Sequence, residues 1–459
     1  MGITGKDLIE MGFAPGPHFP AMIAAANKAA ESGDDVRAAV ADLAPPDPIC
    51  LRQQSLSFFE NIRAENDDER DNVEAVRKTM NELMRTPVLK AGAVMPDACP
   101  AGSVGTIPVG GVVASEAIHP GMHSADICCS MALTNFGRAD PLIVLDAMHR
   151  VTHFGPGGRE EIRMPDDVAK AVDGNTMTRD FIDIGHRDMG TQGDGNHFAY
   201  VGQLKSTGDT VLVTHHGSRG FGARVYKRGM RVADNFRRKL SPETPKGNAW
   251  IPADTKEGET YWDALQIVRE WTKANHYVLH DMAAEAAGIK SLDRFWNEHN
   301  FVFRKSDGLF YHGKGATPAF DGWASDATDL TIIPLNMAEP ILIVRGQNAS
   351  NGLGFSPHGA GRNFSRTQHR RRNDHRTDAE IFTEETAGID ARFFMGIPDI
   401  SELPSAYKNA ASVRSQIDEY GLAEIVDEVL PFGCIMAGDW EKEAPWRKLP
   451  TPQDKETGR

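Results

Sequence analysis

Hydrophobic residues recur at helical spacing in several parts of the chain. In the first forty-odd residues a Pro- and Gly-rich turn at 13–20 precedes two such stretches, which predicts a group of short helices. A charged amphipathic helix is predicted at 56–86, and long helices are predicted at 222–240 and 259–289. The apolar residues of the last stretch, such as Leu265, recur every three or four positions, as one buried helix face requires.

From about residue 90 the pattern changes to short β-branched runs separated by glycine-rich loops, which predicts strands. These runs lie at 104–114, 180–185, 209–217, 330–335 and 339–346. Strands interspersed with long helices predict an α+β fold with one large mixed-sheet domain and flanking helices. The predicted domains are a helical N-terminal cap at 1–88, the main domain at 89–438 and a C-terminal extension at 439–459.

Composition narrows the class of protein. The chain has 459 residues, of which 40% are hydrophobic, and this excludes a disordered tail or a small disulfide-stabilised scaffold. No apolar run approaches the roughly 18 residues that cross a bilayer, and the first residues lack the apolar core of a signal peptide. The formal charge of -14 argues against a general nucleic-acid binder, although a local basic groove stays compatible with it.

Cysteine usage indicates a reducing compartment. The five cysteines are an odd number and two of them are adjacent, which does not fit a framework of paired disulfides. We therefore expect a cytoplasmic protein whose thiols stay free to act as metal ligands.

Candidate chemistry is concentrated in five short segments in which His, Asp or Cys lie beside glycine or at a strand end. Carboxylate, thiolate and imidazole together suit Mn²⁺, Zn²⁺ or Fe²⁺, and the absence of paired CxxC motifs argues against a structural zinc site. Ligands from distant segments leave coordination positions open for catalysis. The segments are 119–131, 190–198, 213–222, 295–301 and 356–366.

The DICC motif in the first of these segments places Asp126 three residues before Cys129. In a turn, that spacing lets a carboxylate and a thiolate converge on one or two cations. The alternative is a turn-capping Asp beside a buried Cys that only packs. Cys128 is the better candidate for a packing thiol.

Three further segments offer phosphate and metal contacts. In GDGNHF, Asn196 is a candidate phosphate contact and His197 a candidate metal ligand. The apolar run VLVT predicts a strand that delivers His215, with Ser218 and Arg219 following in an anion-binding loop. The candidates from the EHN motif are His299 and Asn300. Ordinary turns with structural histidines are the alternative for each segment.

The HGAGR motif at 358–362 differs in kind. Small residues around His358 leave space for a bulky group to approach its ring, and Arg362 adds positive charge. A neutral imidazole can attack phosphorus and form a phosphoramidate, which passes the group on readily. The alternative is a small-residue turn capped by a histidine.

Taken together and in this order, the motifs resemble the RtcB family of RNA-splicing ligases over roughly residues 90–438. Four further segments fall in register with that family. They are MPDAC (95–99), GPGG (155–158), HGKGATPA (312–319) and ELPSAYKN (402–409).

The resemblance implies an RtcB-like fold and an enzyme that joins an RNA 3′-phosphate or 2′,3′-cyclic phosphate end to a 5′-hydroxyl end with GTP and two Mn²⁺ ions. His358 would carry GMP, and Cys129 would bridge the two ions. The implied metal ligands are Asp126, Cys129, His197, His215 and His299. The implied nucleotide and phosphate contacts are Asn196, Asn300, Ser218, Arg219, Gly359, Ala360, Gly361, Arg362 and Tyr407. Family members in some organisms also use an activating protein.

Several positions depart from the family pattern. Both glycines that flank the ligand cysteine are replaced, by Cys128 and Ser130. Tyr200, Asn336 and Met436 stand where the family has Glu, Ser and Lys around the guanine nucleotide. The metal and nucleophile residues are kept while the base-contacting residues are changed, so the identity of the base stays open.

Two other functions fit the same residues. One is a metal-dependent phosphoesterase that uses a bound water as nucleophile. The other is an RNA- or nucleotide-binding protein with degenerate catalysis, which the three changed pocket positions would explain. The basic run at 366–376 either steers an RNA backbone toward the site or forms a solvated charged loop.

Overall fold

The computed structural model of the protein describes residues 2–44 and 47–439. The chain consists of two compact units. The first comprises Met1–Cys50 and Arg238–Glu243, and the second comprises the remainder. The predicted extension at 439–459 lies, after Asp439, outside the described residues. Among the described residues, no helix has both the length and the apolar character needed to cross a bilayer.

The described residues form twelve α-helices. They are α1 (Gly5–Glu10), α2 (Phe19–Ser32), α3 (Val36–Ala41), α4 (Asp67–Leu83), α5 (Pro141–Val151), α6 (Asp166–Gly174), α7 (Ile182–Asp188), α8 (Arg219–Leu240), α9 (Lys256–Ala287), α10 (Arg366–Arg372), α11 (Asp378–Glu385) and α12 (Ala410–Glu419).

The strands are β1 (Phe59–Glu60), β2 (Leu89–Cys99), β3 (Val109–Ser115), β4 (Ala117–Ile118), β5 (Ser130–Asn135), β6 (Phe198–Leu204), β7 (Thr210–His216), β8 (Ile251–Pro252), β9 (Asp293–Glu298), β10 (Asn300–Arg304), β11 (Phe310–Lys314), β12 (Ala316–Pro318), β13 (Leu330–Ile333), β14 (Ile341–Gly346), β15 (Phe355–Pro357), β16 (Asp390–Phe393) and β17 (Ala423–Met436).

The N-terminal unit contains the short helices α1 to α3, while the predicted boundary at residue 88 stays a prediction. Leu8 of α1, Met22 and Ala26 of α2 and Val40 of α3 are fully buried against one another. Gly33 ends α2 in the left-handed conformation that glycine adopts without strain, and the Asp35 side chain caps the start of α3.

The second unit is built on an eight-stranded sheet. Its strands run in the order β13-β14-β17-β6-β7-β5-β9, and β16 pairs in parallel with β17. A second sheet has the order β1-β2-β3-β11-β10. This architecture confirms the predicted α+β class with a large mixed sheet and flanking helices.

The two faces of the large sheet have different partners. On β6 and β7, Ala199, Val201 and Leu212 pack with α5 and α9. The intervening residues Tyr200 and Val213 belong to a separate apolar cluster on the opposite face. Strict alternation along these strands therefore sends neighbouring residues to different environments.

Three predicted elements differ in the structure. The run at 180–185 forms a turn of 3₁₀-helix and part of α7 instead of a strand, and Gly185 O accepts a hydrogen bond from buried Trp271 of α9. Helix α4 begins at Asp67 and not near 56, because the Asn66 side chain caps it and acidic residues fill its first turn. The first half of the run at 104–114 is loop, and β3 begins at Val109.

Candidate functional site

A cavity of about 1090 Å³ lies on the face of the large sheet opposite α5 and α9. The following predicted site residues line it: Asp126, Cys129, Asn196, His197, His215, His299, Asn300, His358, Gly359, Ala360, Gly361, Arg362 and Tyr407. Residues from segments more than two hundred positions apart in the sequence are thus brought to one place.

Strand pairing brings the first part of the site together. His215 is the penultimate residue of β7 and pairs with Met131 of β5 on one side and Phe198 of β6 on the other. Cys129 directly precedes β5, and its carbonyl accepts a 2.9 Å hydrogen bond from His299 N–H, which directly follows β9. The backbone ladder therefore fixes Cys129, His215 and His299 beside one another.

The loop before β5 contains Cys128 at φ 59°, in the left-handed region. Its N–H donates a 2.7 Å hydrogen bond to Asn300 O, which holds the loop in this conformation. The family pattern has glycine at this position, which adopts such φ values freely, whereas a cysteine there is strained. The turn needed to present Cys129 is therefore kept despite the replacement.

Five side chains of the predicted metal set approach one another closely. The Cys129 Sγ atom lies 3.2 Å from His215 Nε2 and 3.4 Å from His197 Nε2. His215 Nε2 and His299 Nε2 are 3.1 Å apart, and His197 Nε2 lies 3.2 Å from Asp126 Oδ2. These atoms form two triads, Cys129–His215–His299 and Asp126–Cys129–His197, which share the cysteine.

The chemistry of this donor set fits divalent cations. Thiolate, imidazole and carboxylate are ligands of Mn²⁺, Zn²⁺ and Fe²⁺, and two triads with one shared sulfur correspond to two adjacent positions. His215 Nδ1 lies 3.1 Å from Asn196 O. If Nδ1–H donates to that carbonyl, the Nε2 lone pair points into the cluster, as ligation requires.

Burial sets the protonation of these groups. It lowers the pKa of His215 and of His299 well below the usual value, so both rings are neutral. Burial, together with the charge of Asp126, raises the pKa of the Cys129 thiol well above its usual value. For Asp126 desolvation opposes ionisation, but contact with His197 lowers the pKa overall. A cation that binds Cys129 would therefore displace a proton from the thiol.

His358 is held from one side by Asp97, a residue that the sequence analysis did not nominate. The Nδ1 atom of His358 lies 2.6 Å from Asp97 Oδ2, and the backbone N–H of His358 donates to the same oxygen at 3.2 Å. Asp97 lies on β2 and is fully buried. In the sequence Asp97 belongs to the MPDAC segment, which carries part of the family resemblance but does not indicate this contact.

This contact defines the reactive edge of the ring. With Nδ1–H donating to the Asp97 carboxylate, the Nε2 atom of His358 carries a free lone pair. Nε2 makes no hydrogen bond to any described residue, and the ring centroid lies 4.8 Å from that of His299. The nucleophile predicted from HGAGR therefore adjoins the predicted metal set.

Close approach explains the small residues of the HGAGR motif. Gly361 has φ 72°, and a Cβ atom on it would lie 2.0 Å from Asp97 O. A larger residue there would displace β2 and, with it, the carboxylate that holds His358.

Arg362 and Tyr407 meet at a buried carboxylate. Arg362 Nη1 lies 3.4 Å from Glu402 Oε2, and the Tyr407 hydroxyl donates to the same atom at 2.5 Å. Arg366 also pairs with Glu402.

Asn300 Oδ1 accepts a 2.7 Å hydrogen bond from Gly315 N–H. Asn300, Arg362 and Tyr407 line the cavity, and their role as phosphate contacts stays a prediction.

Ser218 and Arg219 do not line the cavity. Ser218 Oγ donates to Ile127 O at 2.6 Å, and Arg219 bonds Thr191 Oγ1 at 3.1 Å and Gly155 O at 2.6 Å. Their polar groups hold the loops around the site together, and the structure gives no support to the predicted anion-binding loop at 217–220.

The basic run at 366–376 begins with helix α10 and is not a loop throughout. Arg370 pairs with Asp399 and Asp439, and Arg372 pairs with Asp68. Arg366, Arg371 and Arg372 nonetheless line the cavity. The run therefore contributes positive charge to the cavity from a structured element.

Comparisons with known proteins find a matching family and several similar chains. A family model described as "tRNA-splicing ligase RtcB" matches residues 153–437. The chain is 25% identical over 442 residues to the tRNA-splicing ligase RtcB of Archaeoglobus fulgidus, which covers 78% of this chain and 90% of that protein. It is 26% identical over 439 residues to the protein of that name from Thermococcus kodakarensis, with the same coverage. The RNA-splicing ligase RtcB of Mycobacterium tuberculosis is 25% identical over 407 residues, which covers 72% of this chain and 93% of that protein.

Proposed function

The chain belongs to the RtcB family of tRNA-splicing ligases, and from that premise we propose that it is an RNA ligase that carries a nucleotide on His358. The substrates are an RNA end with a 3′-phosphate or 2′,3′-cyclic phosphate and an RNA end with a 5′-hydroxyl. GTP is the nucleotide donor that the family resemblance implies, and two Mn²⁺ ions are the implied cations.

The observation that carries this proposal is the position of His358 between a buried carboxylate and the cation-type cluster, as we call the side chains of Asp126, Cys129, His197, His215 and His299. Asp97 lies 2.6 Å from one ring nitrogen, and the ring of His299 lies 4.8 Å from the ring of His358, centroid to centroid. A phosphoesterase that uses a bound water would need the cluster and could use the oriented imidazole to move a proton. Nucleotidyl transfer uses the same two features, and the family of the chain favours it over the phosphoesterase alternative.

The proposed reaction starts at His358 Nε2. Its lone pair attacks the α-phosphorus of the nucleotide, the N–P bond forms, and the bond to the leaving pyrophosphate breaks. The ring then carries positive charge, which the Asp97 carboxylate stabilises through Nδ1–H. Water first opens a 2′,3′-cyclic phosphate end by breaking its bond to the 2′-oxygen, which leaves a 3′-phosphate and a 2′-hydroxyl. An oxygen of the RNA 3′-phosphate next displaces Nε2 from phosphorus. The 5′-hydroxyl finally attacks the activated 3′-phosphate and releases the nucleoside monophosphate.

Asp126, Cys129, His197, His215 and His299 would hold the cations, whose charge, when bound, offsets that of the phosphates and orients the α-phosphorus. Arg362, Arg366 and Arg371 line the same cavity and add fixed positive charge for the RNA and nucleotide phosphates.

The test is covalent labelling. Incubation with Mn²⁺ and α-labelled GTP or ATP should give label on the protein that is lost in acid and kept in alkali, as a phosphoramidate is. His358→Ala should abolish the label, whereas His149→Ala, a change on the exposed face of α5, should keep it. Absence of label with every nucleotide, or label that survives His358→Ala, contradicts the proposal.

A second assay follows the whole reaction. An RNA pair with 3′-phosphate and 5′-hydroxyl ends should be joined only when nucleotide is supplied, and His358→Ala should not join it. Cleavage of phosphate esters without nucleotide that persists in His358→Ala would instead identify a phosphoesterase.

A further inference from the structure

The cavity has two chemically different ends, and the end away from the cation-type cluster is apolar. Phe198 of β6 pairs with His215 on one side and with Met436 of β17 on the other. The ring centroids of Phe198 and His215 are 5.4 Å apart, so the apolar surface begins directly beside the cluster. Tyr200 and Cys434, which pair with each other in the same two strands, line this end as well.

A loop completes the apolar end. Leu335 and Met337 of the loop at 334–337 line the cavity and are almost fully buried, while Asn336 between them is partly exposed. A flat aromatic base fits such a surface, because it can bury its faces against Phe198 and the two methionines. The phosphates of the same nucleotide would then lie toward His358 and the cluster.

The side chains at this end are uncharged, and the acceptors among them are weak or partly engaged. The Tyr200 hydroxyl lies 3.2 Å from Glu339 O and 3.3 Å from Val429 O, so its proton is engaged with the protein. Burial raises the pKa of the Cys434 thiol, which therefore stays a protonated, weak donor. Asn336 Oδ1 accepts from Ala338 N–H at 2.9 Å, and Asn336 Nδ2 makes no hydrogen bond to any described residue.

The carboxylates that line the cavity lie on other elements. Asp126 belongs to the cation-type cluster, and Glu402 is engaged by Arg362, Arg366 and Tyr407. Asp68 and Asp71 lie on α4. No carboxylate among the described residues that line the cavity comes from β6, β17 or the loop at 334–337.

Guanine and adenine differ in what they demand of such a pocket. The base-pairing edge of guanine carries two donor groups, N1–H and the N2 amino group, and both need acceptors. Adenine carries only one donor group, the N6 amino group. Its neighbouring N1 atom is an acceptor, and the Asn336 Nδ2 group can donate to it. A buried donor without a partner is penalised, and sites discriminate strongly on that basis.

We propose that the pocket formed by Phe198, Tyr200, Met337, Cys434 and Met436 binds the purine of the nucleotide donor, and that Asn336 at its edge selects adenine over guanine. This inference rests on the proposed nucleotidyl transfer to His358, and it replaces GTP with ATP as the preferred donor.

The test compares the two nucleotides at low concentration. Initial rates of covalent labelling with α-labelled ATP and GTP in the presence of Mn²⁺ should be higher for ATP. In the isosteric variant Asn336→Asp, an oxygen acceptor replaces the free amide donor, so the ratio of ATP to GTP rates should shift toward GTP by about tenfold. Asn235→Asp makes the same change on the exposed face of α8 and should leave the ratio unchanged.

Binding measurements separate this inference from the proposed function. Calorimetry with the α,β-methylene analogues of ATP and GTP does not require transfer to His358 and should show tighter binding of the ATP analogue. Label absent from every nucleotide would defeat the proposed function, and the analogues would then decide the base preference alone. Faster labelling by GTP, tighter binding of the GTP analogue, or an equal ratio in Asn336→Asp and Asn235→Asp overturns the inference.

Discussion

His215 and His216 are consecutive residues at the end of β7, yet they lie in opposite environments. His215 faces the cavity, where its Nε2 atom lies within 3.2 Å of Cys129 Sγ and of His299 Nε2. His216 faces α9, where its ring stacks on His276 with centroids 3.5 Å apart. Strand alternation alone therefore gives one histidine access to ligands and makes the other part of the packing.

The hydrogen bonds on the two faces differ as well. On the α9 side, Thr214 Oγ1 lies 2.7 Å from His276 Nδ1 and 2.8 Å from His280 Nε2. Ser130 Oγ lies 3.0 Å from His276 Nε2, and Thr134 Oγ1 lies 2.6 Å from His280 Nδ1. Both nitrogens of His276 and of His280 thus have hydroxyl partners, whereas the cavity histidines crowd around a sulfur. A histidine with two satisfied nitrogens is structural, and a cluster of close nitrogen and sulfur atoms indicates a cation site.

The strongest test of this contrast replaces each of the two neighbouring histidines in turn and compares the variants. His215→Ala should lower Mn²⁺ affinity by more than about 100-fold, since changes outside the ligand set already cost that much. His216→Ala should keep the affinity and lower the free energy of unfolding by about 1–3 kcal/mol. Metal titration and urea unfolding of both variants measure the two effects. Equal metal affinities would break the comparison.

Asp97 tests the cavity side without touching the cation cluster. Asp97→Asn keeps the size of the side chain but removes the charge that stabilises the His358 ring after attack. The rate of labelling at saturating nucleotide should fall about 100-fold, while KM and metal affinity change little. A rise in KM with unchanged maximal rate would assign Asp97 a purely structural role.

The adjacent residues Cys128 and Cys129 show the same contrast between a packing side chain and a ligand-type side chain. Cys129 belongs to both triads, while Cys128 is fully buried in the core cluster that includes Trp271 and Leu265 of α9. Cys129→Ser should lower Mn²⁺ affinity by about 10–100-fold, by analogy with other changes around metal sites. Cys128→Ser should act on stability and leave metal binding intact. Metal titration of the pair distinguishes the two roles, and a larger loss of affinity in Cys128→Ser would reverse them.

The hydroxyl network on the α9 side offers a test confined to stability. Thr214→Val preserves shape but removes the hydroxyl between His276 and His280, which leaves two buried imidazole nitrogens unsatisfied. The free energy of unfolding should fall by about 1–3 kcal/mol. Covalent labelling per folded molecule should be unchanged, and its loss would show that the two faces are coupled.

The smallest effect concerns pH. Burial, with the charge of Arg294 second, lowers the pKa of His280 to about 3. A histidine in an unfolded chain has a pKa of about 6.5. At pH values between the folded and the unfolded pKa, the unfolded state therefore binds a proton that the folded state does not. The free energy of unfolding should therefore decrease as pH falls below about 6.5. In His280→Gln this slope should be shallower, as urea unfolding at several pH values would show. An unchanged slope would mean that other groups dominate it.

The sequence predicted the elements with long, regular patterns. Helix α9 and strand β7 lie close to the predicted ranges 259–289 and 209–217, since each has many positions that share one period. The run at 180–185 is too short to separate a helical from an extended period, and its contact with Trp271 of α9 decides the outcome. Strand β17 was not predicted, although it pairs with β6, β14 and β16 at the centre of the sheet.

The sequence predicted those site residues whose own segment contains a metal-ligand or nucleophile side chain beside glycine or at a strand end. Cys129, His197, His215, His299 and His358 were nominated from their segments and the family resemblance, and the structure brings them together. Asp97 was missed because its role depends on β2 lying beside β15, a contact across 261 residues that local pattern does not encode. For Ser218 and Arg219 the local pattern suggested an anion site, while tertiary contacts engage both side chains elsewhere.

The sulfur of Cys129 belongs to both triads, so cations bound by the two triads would share one ligand atom. An oxidant or alkylating reagent that modifies this one atom would disable both positions together. Occupancy of one position would also alter the electron density that the sulfur offers to the other. The two triads are therefore linked through one atom and would act as a coupled pair instead of two independent sites.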